Sequence, residues 1–332
     1  MMWLWCLLLI GGIAALRQRQ LDRPTLPIYA KDFDGEILRI GACHALVRRA
    51  AATPRATVVC VPGFLEEVWY FDGLYEDADL DCIYLNNADY HVTTVAPEAR
   101  AQAVDWDRPL PYAVGTISHD AAVLNQVLTH LVRSGPIRLH GHSRGGAVVL
   151  EAALQSPELH RRLEIEYLLE APVLPQGRIH PSLALAATAP GLWLLPALFP
   201  LLRRLPMRQL GRLAFGPPRG QKLELASRLW FNARRARTVV TNVQDIQSWM
   251  RFRTTAAYEA FRDARTGILV ADRDLILSRS HMARSARQTG EPVRVVEAPE
   301  TSHMLAQDAP TAIPPVGAAA VGVVPDPDVT DG

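Results

Sequence analysis

The sequence of 332 residues predicts an α/β fold, with one mostly parallel eight-stranded sheet, helices on both faces and a helical cap inserted late in the chain. Three observations predict it. Short apolar, β-branched runs alternate with amphipathic stretches, the pattern of parallel strands joined by crossover helices. One run, Pro136 to His140, passes through a glycine-flanked turn straight into a helix-forming stretch, Ala147 to Gln155. Residues 172–266 break the alternation with Pro181, Pro190, Pro196, Pro200 and Pro206, so they read as broken helices over the sheet edge.

At the start, residues 1–16 are uncharged and mostly apolar, and Arg17, Arg19 and Arg23 follow. A bilayer crossing takes about 20 apolar residues, and a secretory signal carries its positive charge ahead of the apolar run. Neither template fits cleanly. A membrane anchor with the body in the cytoplasm, by the positive-inside tendency, a removed export signal and a packed start of the fold all stay open.

Glu36 to Ile40 and Ala45 to Arg48 then read as an antiparallel pair, Thr57 to Val61 as a buried central strand and Asp81 to Leu85 as the next. Ile117 to Val132 should be helical, because Val123, Leu124, Val127, Leu128 and Leu131 recur at helical spacing and Ser118 can cap the start. Ile165 to Leu169, Gly267 to Ala271 and Pro292 to Val296 complete the strands. The core therefore covers residues 31–171 and 267–308, on either side of the cap. Residues 309–332, rich in Pro, Ala, Gly and Val, read as a flexible tail.

Composition narrows the partners. With 35 Lys+Arg against 34 Asp+Glu, there is no bulk electrostatic case for a nucleic-acid partner. A hydrophobic fraction of 49% excludes a disordered polyelectrolyte. Cys6, Cys43, Cys60 and Cys82 form no CxxC pair and have no zinc-type spacing to histidine, so free thiols are expected and no metal is implied.

Chemistry enters at Gly141, His142, Ser143, Arg144 and Gly145, which spell G-x-S-x-G between a strand and a helix. A nucleophile on such a turn sits in a strained backbone, and the flanking residues must lack Cβ atoms for strand and helix to approach. A serine hydroxyl needs a base, and the base needs a carboxylate to orient it. His303 is the best placed of the ten histidines, since it follows the last strand on the same sheet edge as Ser143. His140 and His142 adjoin the serine but point elsewhere on strand geometry, and His119 and His130 lie on the amphipathic helix. The carboxylate should follow the preceding strand, where Asp272 and Asp274 both stand. Two oxyanion donors are expected, the backbone N–H of Arg144 after the serine and that of Phe64 in the glycine turn after the central strand.

In this order, VVCVPGF, GHSRGG, ILVADRDLIL and ETSHML resemble the α/β-hydrolase superfamily over residues 31–308. The resemblance implies an acyl-enzyme on Ser143 and no cofactor, organic or metal. It favours Asp274 over Asp272, through alignment with the last position of a G-x-x-D turn, and it keeps Glu170 as an outside alternative, because some relatives carry the acid after the sixth strand. Pro62 stands where many relatives have a histidine. The activity implied is hydrolysis of a carboxylic ester or thioester. An acyltransferase using the same three residues is the alternative, a non-catalytic binding protein a less favoured one and cofactor-free haloperoxidase chemistry a minor one.

Only the cap speaks to substrate. Ser182 to Leu202 carries no charge, and its apolar side chains, Trp193 and Phe199 foremost, are candidates to line a pocket for a lipophilic acyl or alcohol group. The same surface would suit packing against the core or contact with a membrane.

Overall fold

The computed structural model describes residues 1–22, 31–90, 94, 97–133, 135–185, 187–202, 215–216, 222, 236–290 and 293–318. Each of the eight runs read as strands pairs into a single sheet: β1 (Glu36–Ile40), β2 (Cys43–Arg48), β3 (Ala56–Val61), β4 (Leu80–Asn86), β6 (Ile137–His142), β7 (Ile165–Glu170), β8 (Thr266–Ala271) and β9 (Arg294–Ala298). A ninth strand, β5 (Ala101–Ala103), corrects the expected count. At three residues it is too short for an alternating pattern to register, and it adds parallel to β1 at the sheet edge. The order is β5-β1-β2-β4-β3-β6-β7-β8-β9, antiparallel at β1–β2 and β2–β4 and parallel elsewhere.

The central strands are buried on both faces. On β3, Val59 and Val61 enter one apolar cluster, with helices α3 (Ile117–His130) and α4 (Arg144–Gln155). Val58 and Cys60 point the other way, into a cluster with Val68, Trp69, Tyr70, Phe71 and Met304. Period-two side chains thus serve two cores at once, and each fully buried Val or Leu contributes about 1.5–3 kcal/mol.

The remaining helices are α1 (Met2–Leu21), α2 (Pro97–Arg100), α5 (Pro157–Arg162), α6 (Ala189–Leu202), α7 (Ala236–Phe252), α8 (Arg279–Ala286) and α9 (Leu305–Asp308). The described residues between β7 and β8 include 3-10 segments at Pro181–Leu183 and Thr255–Phe261 together with α6 and α7. The start of this stretch is tied to the loop after β8, because Ile179 bridges Leu277 and His180 N–H donates to Ile276 O at 2.8 Å.

Two local expectations are corrected. Thr116, not Ser118, caps α3: its extended backbone lets the side chain accept from His119 N at 3.2 Å. Ser118 is already inside the first turn and reaches Glu151 instead, because a cap must precede the helical residues. Nor is the whole of 309–332 free of the body. The Arg138 guanidinium, fully buried against Glu166, donates to the carbonyls of Pro314 and Pro315, and Gly317 N–H donates to Glu166 Oε2 at 2.7 Å. Residues 319–332 lie outside the described residues. Of the four thiols, Cys43, Cys60 and Cys82 are buried and free, and Cys6 is exposed and free.

Candidate active site

The turn between β6 and α4 sets the geometry. Ser143 has φ +51° and ψ −118°, a region that costs a non-glycine residue on the order of 1–3 kcal/mol. The turn closes this tightly because its flanks are bare. A Cβ on Gly141 would lie 2.6 Å from Gly145 O, and one on Gly145 would lie 2.0 Å from Val61 O. The strain lifts the Ser143 side chain away from both strand and helix and toward the loops at the strand ends.

Those loops bring the distant residues in. His303, from the loop between β9 and α9, places Nε2 2.9 Å from Ser143 Oγ. Its Nδ1 lies 2.7 Å from Asp274 Oδ2. The arrangement that satisfies both contacts has Nδ1–H donating to Asp274 and the serine hydroxyl donating to Nε2. Asp274 is itself oriented, since its Oδ1 accepts from Ile276 N and Leu277 N at 2.7 and 2.8 Å. Asp272 instead pairs with Arg279, and Glu170 takes bonds from Tyr70 Oη, His140 Nε2 and Ala306 N. Of the three carboxylates weighed, only Asp274 touches His303.

Of the two residues expected to supply oxyanion donors, Arg144 follows the serine directly and Phe64 follows Gly63, on which a Cβ would come within 2.8 Å of Ser143 Cβ. Around Phe64 the neighbouring amides are committed: Gly63 N–H donates to Glu66 Oε2 at 2.7 Å and Leu65 N–H to Tyr90 Oη at 3.0 Å. Among the described residues, no acceptor takes the Phe64 or the Arg144 amide. Trp193 is 42% exposed, with its carbonyl accepting from Arg17 Nε at 3.1 Å and its ring under the same guanidinium. The side chain of Phe199 lies outside the described residues.

Two arrangements were not legible in the sequence. The first is His142, whose ring lies 5.0 Å from that of His303 and stacks on Tyr70. Its Nδ1 donates to Glu66 Oε2 at 2.6 Å and its Nε2 to the His303 carbonyl at 2.8 Å. Both nitrogens face acceptors, so the ring is an imidazolium. Burial alone would pull it down, but the Glu66 carboxylate overrides burial and raises it to about 9. This cation ties the turn that carries Phe64 to the loop that carries His303. Because its ordinary value is about 6.5, the stability it contributes is complete below about 6.5 and lost as pH rises through about 9. Thermal melts across alkaline pH should therefore show a step near 9 in the wild type and none in His142→Gln; an identical step in both would contradict the assignment.

The second is the Arg144 side chain. It is fully buried, with Nη1 donating to Asp120 Oδ2 at 2.7 Å and to Asn87 Oδ1 at 2.9 Å, and Nη2 to Gly115 O at 3.2 Å. Burial would raise the Asp120 carboxyl, yet the Arg144 charge holds it below its usual range. Removing one member of such a pair strands the other, at about 3–5 kcal/mol. Arg144→Met should lower the urea midpoint accordingly, and Asp120→Leu added to it should restore part of the loss; additive losses would refute the pairing.

Ligand-type atoms of Glu66, His142 and His303 lie within 4.8 Å of one another, as do those of Cys43, His119 and Asp120. In the first set, both His142 nitrogens and His303 Nε2 are engaged in the bonds above. In the second, the Arg144 guanidinium already neutralises Asp120. Neither set is arranged to receive a cation.

Residues 58–313 match the model of a family described as the alpha/beta hydrolase family. A comparison with curated proteins gave no match. Among solved structures, a thermophilic esterase from Thermogutta terrifontis is 15% identical, covering 81% of this chain and 90% of its own, with a TM-score of 0.53. A lipase-esterase related protein from Clostridium acetobutylicum is 13% identical over 82% of this chain and 97% of its own, with a TM-score of 0.54. An E-2-(acetamidomethylene)succinate hydrolase is 15% identical over 84% of this chain and 96% of its own, with a TM-score of 0.53. At these identities the likeness is one of fold.

Proposed function

The chain belongs to the alpha/beta hydrolase family, and from that premise we propose that it is a serine hydrolase cleaving a carboxylic ester or thioester with a lipophilic acyl or alcohol group. The observation that carries the reading is the hydrogen-bonded series from Ser143 Oγ through His303 to Asp274. Ser143 Oγ attacks the acyl carbon while His303 Nε2 takes its proton. Asp274 stabilises the resulting imidazolium, and its two backbone bonds hold it in place without its taking the proton itself. The carbonyl oxygen, now an oxyanion, turns toward the Phe64 and Arg144 amides. One such donor is worth about 10²–10³ in rate.

Collapse of the intermediate breaks the bond to the leaving group, which receives the proton from His303. This leaves the acyl group on Ser143. Water, deprotonated by His303, then attacks the acyl carbon and frees the acid and the serine. Ser143 is 4% exposed and His303 3%, a setting in which the charges of both steps are little screened. The preference for lipophilic groups rests on the uncharged segment Ser182 to Leu202, rooted beside Asp274 through the contact of His180 with Ile276.

Turnover of p-nitrophenyl esters of increasing chain length tests the reading. The expected result is hydrolysis with kcat/KM rising from acetyl toward medium-length acyl groups. Hydrolysis that falls steadily with length would remove the lipophilic part, and no turnover of any ester or thioester would remove the whole.

A further inference from the structure

The first half of α1 is apolar on every side and exposed. From Trp3 to Ile10, the side chains of Trp3, Leu4, Trp5, Leu7, Leu8, Leu9 and Ile10 are between 57% (Ile10) and 78% (Trp3) exposed. At helical spacing, seven of eight consecutive positions cover the whole circumference. The second half of α1 behaves differently. Ile13, Ala14, Arg17, Gln20 and Leu21 lie on one face of the helix, at i, i+1, i+4, i+7 and i+8, and are the less exposed ones, in the half of α1 whose Arg17 reaches Trp193 of α6. On α6, Leu192 and Ala197 are buried while Trp193 and Leu198 remain exposed.

We propose that α1 and α6 form one membrane-docking element that inserts into a single leaflet of a lipid bilayer. A groove on another protein would cover one stripe of α1 and leave the others wet, whereas lipid tails surround a helix that is hydrophobic all round. The length fits a leaflet. Eight residues at 1.5 Å rise reach about 12 Å, close to half of a hydrocarbon core of about 30 Å. Among the described residues no helix is long and apolar enough to cross a membrane. Arg17, with the Trp193 ring beneath it, is the first charged residue of α1 and follows the uncharged residues 11–16, and Arg19 is exposed two residues on; guanidinium and indole groups are the ones that meet phosphates at the interface. Because the chain enters this element from His180, which is held at Ile276 two residues after Asp274, the docking would bring the Asp274 side of the site toward the membrane. A membrane-resident ester as substrate follows only if the serine-hydrolase reading holds; the docking itself does not depend on it.

Flotation of the full chain with vesicles of phosphatidylcholine and phosphatidylglycerol tests the docking. Wild type and Ser143→Ala should float equally, and the double variant Leu8→Glu with Ile10→Glu, shown folded by its melting curve, should bind at least about tenfold more weakly. The same double variant should keep its turnover of a water-soluble short ester and lose turnover of an ester carried in the vesicles. To place α6, Leu198→Cys in a Cys6→Ser background carries an environment-sensitive dye, whose emission should shift to the blue on vesicle binding. Wild type that stays in the aqueous fraction, or a double variant that floats as well as wild type, overturns the docking. Oligomers that dissolve in the double variant without any vesicle binding would make a second copy of the chain the partner instead. An unshifted dye removes α6 from the element. Loss of all ester turnover with flotation intact would count against the serine-hydrolase reading and leave the docking standing.

Discussion

Replacing Ser143 with alanine should lower kcat by a factor of about 10⁴ or more while the fold persists. The hydroxyl is the only atom removed, and it contributes no bond on which the turn depends: the Ser143 amide donates to Glu170 O and its carbonyl accepts from Gly146 and Val173, all through the backbone. Ser143→Gly sharpens the result. Glycine adopts a positive φ without steric cost, so this variant should be as inactive as the alanine variant and more stable than it by about 1 kcal/mol or more. Urea unfolding of the two variants measures the difference. Equal stabilities would mean that the positive φ stores no strain.

The second large effect is expected at Asp274. Asparagine there keeps the shape but can offer an amide N–H to His303 Nδ1, which turns the ring to the tautomer that cannot accept the serine proton. Loss of kcat on the order of 10³–10⁴ is expected, with little change in KM. Asp272→Asn should remain within about threefold of wild type, because its carboxylate pairs with Arg279 at the surface and such pairs are worth about 0–1 kcal/mol. Glu170→Gln separates structure from chemistry. It loosens the buried contacts with Tyr70, His140 and Ala306, so its loss should appear in stability before turnover. If Asp272→Asn proved the more damaging of the two aspartate variants, the acid would have to be reassigned.

The parts of the site that could be read in the sequence are those that backbone geometry demands. Gly141 and Gly145 flank Ser143 because no side chain fits there, and such a requirement leaves a local signature. His303 was legible for a related reason, since it follows a strand that ends at the same sheet edge; that reasoning leaves Asp272 and Asp274 both open, and only the resemblance to a family turn favours Asp274. What stayed hidden depends on side chains that meet only after folding. Glu66 and His142 are 76 positions apart, and nothing local marks either as the partner of the other. Strand geometry points His142 away from the serine, as the structure has it, but it does not reveal that the ring reaches the carbonyl of His303. The elbow motif speaks only to the Arg144 amide, and nothing in it foretells that the guanidinium organises Asp120, Asn87 and Gly115.

The fold shows the same division. The eight longer strands follow from period and β-branching, whereas β5 is too brief to carry a period. At the cap of α3, Thr116 and Ser118 are chemically equivalent candidates, and only the backbone angles separate them. The proline-rich start of the last segment looks unstructured by composition, but the carbonyls of Pro314 and Pro315 are the acceptors that complete the buried Arg138 guanidinium. Composition records how a segment behaves alone and is silent about a buried donor elsewhere that needs it.

The central claim is that His303 and Asp274 activate the Ser143 hydroxyl. Labelling with a fluorophosphonate probe, followed by mass mapping of the modified peptide, measures this without knowledge of the substrate. The expected result is one adduct on Ser143 in the wild type, absent from Ser143→Ala and strongly slowed in His303→Ala. An adduct on another residue, or labelling of Ser143 at the same rate without His303, would contradict the account.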